Sequence, residues 1–110
     1  MHGVTITELI DKLKLQNTTP DIDTDKIVLT HPDVNRPALQ LTGFFDHFDR
    51  ERVQIIGYVE QAYINTLDQE RKRFIYDKLI SSQIPCLVFS RGQMPDEDLL
   101  EFCNYYGVPC

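Results

Sequence analysis

Short apolar strands alternating with helical segments predict an α/β fold, a small and mostly parallel sheet flanked by helices. Two observations carry this. Three brief apolar runs, "KIVLT", "RVQIIG" and "PCLVFS", are separated by segments of helical periodicity. The connections are short, and strand–helix–strand crossovers in one sheet are right-handed and leave the strands parallel. The sheet is expected to contain residues 27–30, 53–56 and 86–90, in two or three layers, with Ile27, Leu29, Ile55, Leu87 and Phe89 buried.

The first element, "TITELIDKLKL", reads as a helix. Thr5 and Glu8 form a T-x-x-E capping box, and Ile6, Leu9, Ile10 and Leu13 make one apolar stripe. The polar turn "QNTTPDIDTD" leads into the β-branched strand "KIVLT". The next stretch, "HPDVNRPALQLTGFFDHF", is too apolar for a solvated loop and too broken for a long element. Asn35 suits a helix cap, Pro37 a first turn and Gly43 a left-handed stop. "PALQLTG" is therefore one or two helical turns, with Leu39 inward and Leu41 flanking it. "FFDHF" is an aromatic elbow into the second strand, which ends at Gly57. Phe44, Phe45 and Phe48 match no single face of a helix or strand, so at least one is expected to be partly exposed or to meet a partner.

"YVEQAYINTLDQERKRFIYDKLISS" is helical in two segments meeting near Thr66 and Asp68. Asp68 caps the second, and Phe74, Ile75 and Leu79 form its buried stripe. "PCLVFS" is continuously apolar, as a strand covered on both faces requires. After the turn "RGQ", Pro95 opens the last helix, acids occupy its first turn, and Gly107 ends it. "VPC" begins to read as one more strand. Residues 1–110 are expected to form one domain, cut from a neighbour that follows.

Composition narrows the function. The chain has 110 residues, 42% of them hydrophobic and 25% charged, which is ordinary for a globular domain able to bury about two-thirds of its unfolded surface. A net charge of −6 lacks the basic face that a nucleic-acid partner demands. No apolar run reaches the length of a membrane span, and "MHGVTITELI" lacks the basic and apolar blocks of a signal peptide. Cys86, Cys103 and Cys110 are odd in number and form no CxxC pair, so a reducing cytoplasm is the expected home. Cys86 and Cys103 sit in apolar surroundings as small core hydrophobes. His2, His31 and His47 have no metal-ligand spacing, and no metal site is expected.

Catalytic motifs are missing from the sequence. It contains no G-x-x-x-x-G-K-[ST], no G-x-G-x-x-G after a strand and no G-x-S-x-G elbow. Its carboxylates are many, but spacing sets no pair for acid–base work.

The run "DVNRPALQLTGFFDHFDRERVQIIG", with "PCLVFSRG" and the terminal "YYGVPC", resembles the N-terminal domain of bacterial HPr kinase/phosphorylase over nearly the whole chain. The specific part is R-P-x-L-x-L-[TA]-G, here Arg36 to Gly43. Ala38 stands where that family often has Gly, Phe44 where it often has Tyr, and His47 where Tyr or Phe is common. The resemblance implies a fold similar to the N-terminal domain of muramoyl-peptide ligases. It also implies a longer parent, a homo-hexamer of carbohydrate-metabolism regulation. That parent phosphorylates a serine of the phosphocarrier HPr with ATP and magnesium, and removes the phosphate by phosphorolysis. The P-loop and the HPr-binding residues belong to a C-terminal kinase domain, this domain's expected partner. No family catalytic residue falls on a position of this chain, which needs no cofactor of its own and acts as a non-catalytic accessory or regulatory domain.

Two other readings stand beside it. Open parallel sheets collect ligands outside the carboxyl ends of their strands. Those ends carry His31, Asp33, Asn35 and Arg36 after the first strand, Tyr58 and Glu60 after the second, and Arg91 and Gly92 after the third. Arg36 and Arg91 would take a small phosphate-like anion through guanidinium geometry. The structural counterpart is that Asn35 caps a helix while both arginines pair with acids such as Asp33 or Asp96. The remaining reading is a stand-alone cytoplasmic interaction module built on Phe44, Phe45 and Phe48.

Overall fold

A computed structural model describes residues 3–31, 33–46, 48–90 and 92–110. Five helices surround a parallel three-stranded sheet, so the α/β expectation is met. The elements are β1 Val4–Thr5, α1 Ile6–Leu13, a 3₁₀ turn Thr24–Lys26, β2 Val28–Leu29, β3 Val34–Asn35, α2 Ala38–Leu41, β4 Val53–Ile56, α3 Tyr58–Ile64, α4 Gln69–Ser81, β5 Leu87–Phe89 and α5 Glu97–Tyr106.

Local signals place most helix ends. Thr5 Oγ1 accepts from Glu8 N–H at 3.1 Å while Glu8 Oε1 accepts from Thr5 N–H at 3.2 Å, closing the capping box. Asp68 caps α4 and Asp96 caps α5, one residue beyond Pro95. Gly107 closes α5 at φ 73°, a left-handed geometry that glycine adopts without a Cβ penalty.

The sheet runs β3-β4-β5 with both pairings parallel. Alternation along β4 and β5 divides the core between its faces. Ile56 and Leu87 join Ile75, Leu79, Ile80 and Leu99 on the helical side, while Val53 and Cys86 meet Ile6 of α1 on the other. Three layers result.

Five expectations are corrected. First, residues 27–30 do not enter the main sheet. Val28–Leu29 pairs antiparallel with Val4–Thr5 in a separate two-stranded ribbon, and Val34–Asn35 takes the place beside β4. Val28 is exposed and Leu29 half-buried, the one-sided pattern of a ribbon lying on a surface rather than of a strand covered on both faces. Second, Ile27, Leu29, Ile55 and Phe89 are half-buried, packed against the two clusters, and only Leu87 of that set is fully buried. Third, Asn35 caps nothing. It lies in β3 and donates from Nδ2 to Gln54 Oε1 at 2.7 Å, while Pro37 precedes α2 with no side-chain cap. Fourth, the leucines of α2 are reversed, Leu41 being 1% exposed and Leu39 61%, because this single turn sets its far side against the core. In α4, likewise, Phe74 is exposed beneath Arg71 and Lys78, and Tyr76 and Ile80 complete the buried stripe with Ile75 and Leu79. Fifth, Cys103 is buried as expected, but its sulfur is joined to that of Cys110 in a disulfide, leaving Cys86 free. The Gly107 turn folds Val108–Cys110 back past the end of α5 and brings the two together.

Candidate functional site

The carboxyl end of the parallel sheet gathers part of the set chosen from sequence. β3 ends at Asn35 and delivers Arg36, and β4 ends at Ile56, so the chain turns at Gly57 into α3 and delivers Tyr58 and Glu60. Arg36 Nη2 donates to Glu60 Oε1 at 3.0 Å, and Gly57 N–H donates to the same oxygen at 2.7 Å. Glu60 is 5% exposed and the Arg36 side chain 58%. A Cβ on Gly57 would collide with Arg36 Nη2 and stand 2.9 Å from Glu60 Oε1, so glycine is what lets the arginine approach the strand end. Arg36 therefore pairs with an acid, but with Glu60 rather than Asp33.

The rest of the set disperses. Tyr58 is exposed. Gly92 holds a left-handed turn after β5, at φ 67°. His31 follows β2 of the separate ribbon and precedes β3, so it falls at the amino edge of the parallel sheet, lining a cavity of about 270 Å³ with Phe48, Asp49 and Arg52. That displacement follows from the first strand of the sheet being 34–35 rather than 27–30. Arg91 and His47 lie outside the described residues.

Gln54 escaped the sequence reading. It is fully buried in β4, accepting from Asn35 and donating from Nε2 to the carbonyls of Asp49 at 3.0 Å and Arg52 at 2.9 Å. The lone amide inside the apolar run "VQII" was the available signal, since a buried polar group must find partners.

The elbow divides as its spacing required. Phe45 and Phe48 stack edge to face at 5.6 Å and pack on the main core. Phe44 stays 47% exposed. Its backbone lies close to Leu39, and Arg71 donates to Thr42 C=O at 3.1 Å while stacking over Phe74. Leu39, Phe44 and Phe74 are all exposed, and Arg71 and Lys78 lie over the Phe74 ring.

Buried titratable groups point to structure. Burial pushes the Cys86 thiol up to about 12, so it is protonated near neutrality and no nucleophile. Burial, reinforced by the hydrogen bond to Asp96 at 2.7 Å, also drives the Tyr76 hydroxyl well up.

The match to known proteins runs over this whole framework. A family model described as HPr Serine kinase N terminus covers residues 4–110. The chain belongs to this family. It is 50% identical over 109 residues to the HPr kinase/phosphorylase of Lachnoclostridium phytofermentans, an alignment covering 99% of this chain and 35% of that protein. The HPr kinase/phosphorylases of Caldicellulosiruptor bescii and Alkaliphilus metalliredigens are 39% and 40% identical, over 99% and 96% of this chain and 35% and 34% of their own lengths. The chain spans about a third of the length of these relatives and corresponds to their N-terminal region. Among the described residues, no helix is long and apolar enough to cross a membrane.

Proposed function

We propose that this chain is one non-catalytic accessory or regulatory domain of an HPr kinase/phosphorylase. The longer protein phosphorylates and dephosphorylates a serine of HPr in the cytoplasm, through a C-terminal P-loop domain and as a homo-hexamer. The carrying observation is 50% identity spread over 99% of this chain but only 35% of a protein of that name. The sequence contains no phosphate-cradling glycine–lysine loop. The carboxyl-edge donor set, one arginine already paired with one buried carboxylate, does not fit a magnesium nucleotide. ATP and magnesium are accordingly assigned to the remainder of the protein, and no catalytic step is assigned to this chain.

The test is an assay of the 110-residue chain with ATP, magnesium and HPr. No serine phosphorylation is expected, and robust transfer would overturn the reading. A parent reading frame lacking G-x-x-x-x-G-K-[ST] beyond Cys110 would instead favour a stand-alone interaction module.

A further inference from the structure

Among the described residues, the outer edge of β5 is only partly paired. On its inner side Gln54 N–H donates to Cys86 C=O at 3.2 Å and Ser90 N–H to Ile56 C=O at 3.0 Å. Strand alternation then turns the N–H and C=O groups of Leu87 and Phe89 to the opposite edge. There Leu87 N–H meets Pro109 C=O at 2.9 Å. Among the described residues, Leu87 C=O and Phe89 N–H have no backbone partner. Unpaired strand edges of this kind are templates for another strand.

The chain end already lies along that edge in a definite direction. Tyr106 and Gly107 lie beside Gln83 and Pro85, just before β5, whereas Pro109 lies against Leu87 within it, so the chain end advances as β5 advances. Val108–Cys110 therefore runs parallel to β5. Cys110 faces away from β5, donating to Thr19 Oγ1 at 3.0 Å and accepting from Thr18 N–H at 3.1 Å. In an extended chain the next residue turns back, its N–H toward Leu87 C=O and its C=O toward Phe89 N–H. Beside this edge lies a groove of about 340 Å³ between α1 and the turn after β5, walled by Leu9, Ile10, Leu15, Phe89, Met94 and Pro95. Because the Cys110 side chain joins Cys103 on the helical face, the following side chain points to the α1 face.

We propose that this edge and groove seat the residues following Cys110 in the longer protein, as a fourth parallel strand bonded to Leu87 and Phe89. This rests on the reading of the chain as the amino-terminal part of a longer enzyme. It commits the groove to the chain's own continuation rather than to a diffusible ligand.

Amide hydrogen exchange tests it, on the 110-residue chain and on the same chain extended by the residues that follow Cys110 in its reading frame. The Phe89 amide is expected to exchange about 100-fold more slowly in the extended chain. The Val88 amide, which faces β4, serves as the control and is equally protected in both. Equal Phe89 exchange in the two chains would overturn the proposal. So would Phe89 protection in the shorter chain that rises with concentration, which would give the edge to a second copy. The readout needs neither ATP nor HPr, so failure here and failure of the kinase reading are separable.

Discussion

Arg36 and Glu60 meet 3.0 Å apart at the carboxyl end of the sheet, on the oxygen that also accepts the Gly57 N–H. One carboxylate thus ties β3, the end of β4 and the first turn of α3 together. Glu60→Ala removes both contacts and leaves a buried donor unpaired, so a loss of about 1–3 kcal/mol is expected in urea unfolding. Arg36→Ala is expected to cost less, roughly 0.5–1 kcal/mol, because its guanidinium is largely solvated and Glu60 keeps Gly57. A larger loss for Arg36→Ala would reverse this order of roles.

Calorimetric titration with phosphate, fructose bisphosphate or nucleotides at millimolar concentration is expected to give no heat. The Arg36 guanidinium is committed to Glu60, and an incoming anion would face that carboxylate. Heat that disappears in Arg36→Ala would establish an anion site at this edge.

Gln54→Leu conserves volume but deserts Asn35 and the carbonyls of Asp49 and Arg52. The expected cost is about 1–3 kcal/mol. A neutral or stabilising result in thermal or urea unfolding would mean that these groups find water or other partners.

Among the elbow phenylalanines, Phe48→Ala is expected to destabilise the chain by roughly 3 kcal/mol, because its ring packs on Phe45 and the main core. Phe44→Ala is expected to leave unfolding almost unchanged. In the full-length enzyme it should instead alter self-association or the balance of kinase against phosphorylase activity. Light scattering on the isolated chain should report a monomer or weak dimer, and a stable hexamer at micromolar concentration would place the assembly contacts here.

Stability is expected to be flat from neutrality to about pH 9 and to fall above it. Cys86 titrates at 9.0 when unfolded and about 12 when buried, so the neutral thiol's contribution is complete below the first value and lost as pH rises toward the second. Tyr76, also raised by burial and by Asp96, adds a loss of the same sign. Cys86→Ala should flatten the decline at its onset in pH-dependent urea titrations. An unchanged curve would show that the thiol does not set it.

Features decided within a few residues were legible in the sequence. The Thr5–Glu8 box, the Asp68 cap, the Gly107 stop, the break between α3 and α4, the strand 53–56 and the strand expected at 86–90 and found at Leu87–Phe89 follow from short-range spacing, and the α/β class follows from their order. The "RPALQLTG" run likewise carried the family. Tertiary structure alone decided which strand joined the sheet. "KIVLT" and the residues around Val34 are both compatible with extended backbone, and the choice turned on what each could cover: Val28–Leu29 lies on α1's side as a ribbon, while Val34–Asn35 supplies Asn35 to the buried Gln54. That choice moved His31 to the amino edge of the sheet and set Arg36 opposite Glu60, 24 residues away. Caps and turns are encoded by hydrogen bonds within a turn of chain, whereas these pairings depend on how distant segments share one core, and no local pattern records that.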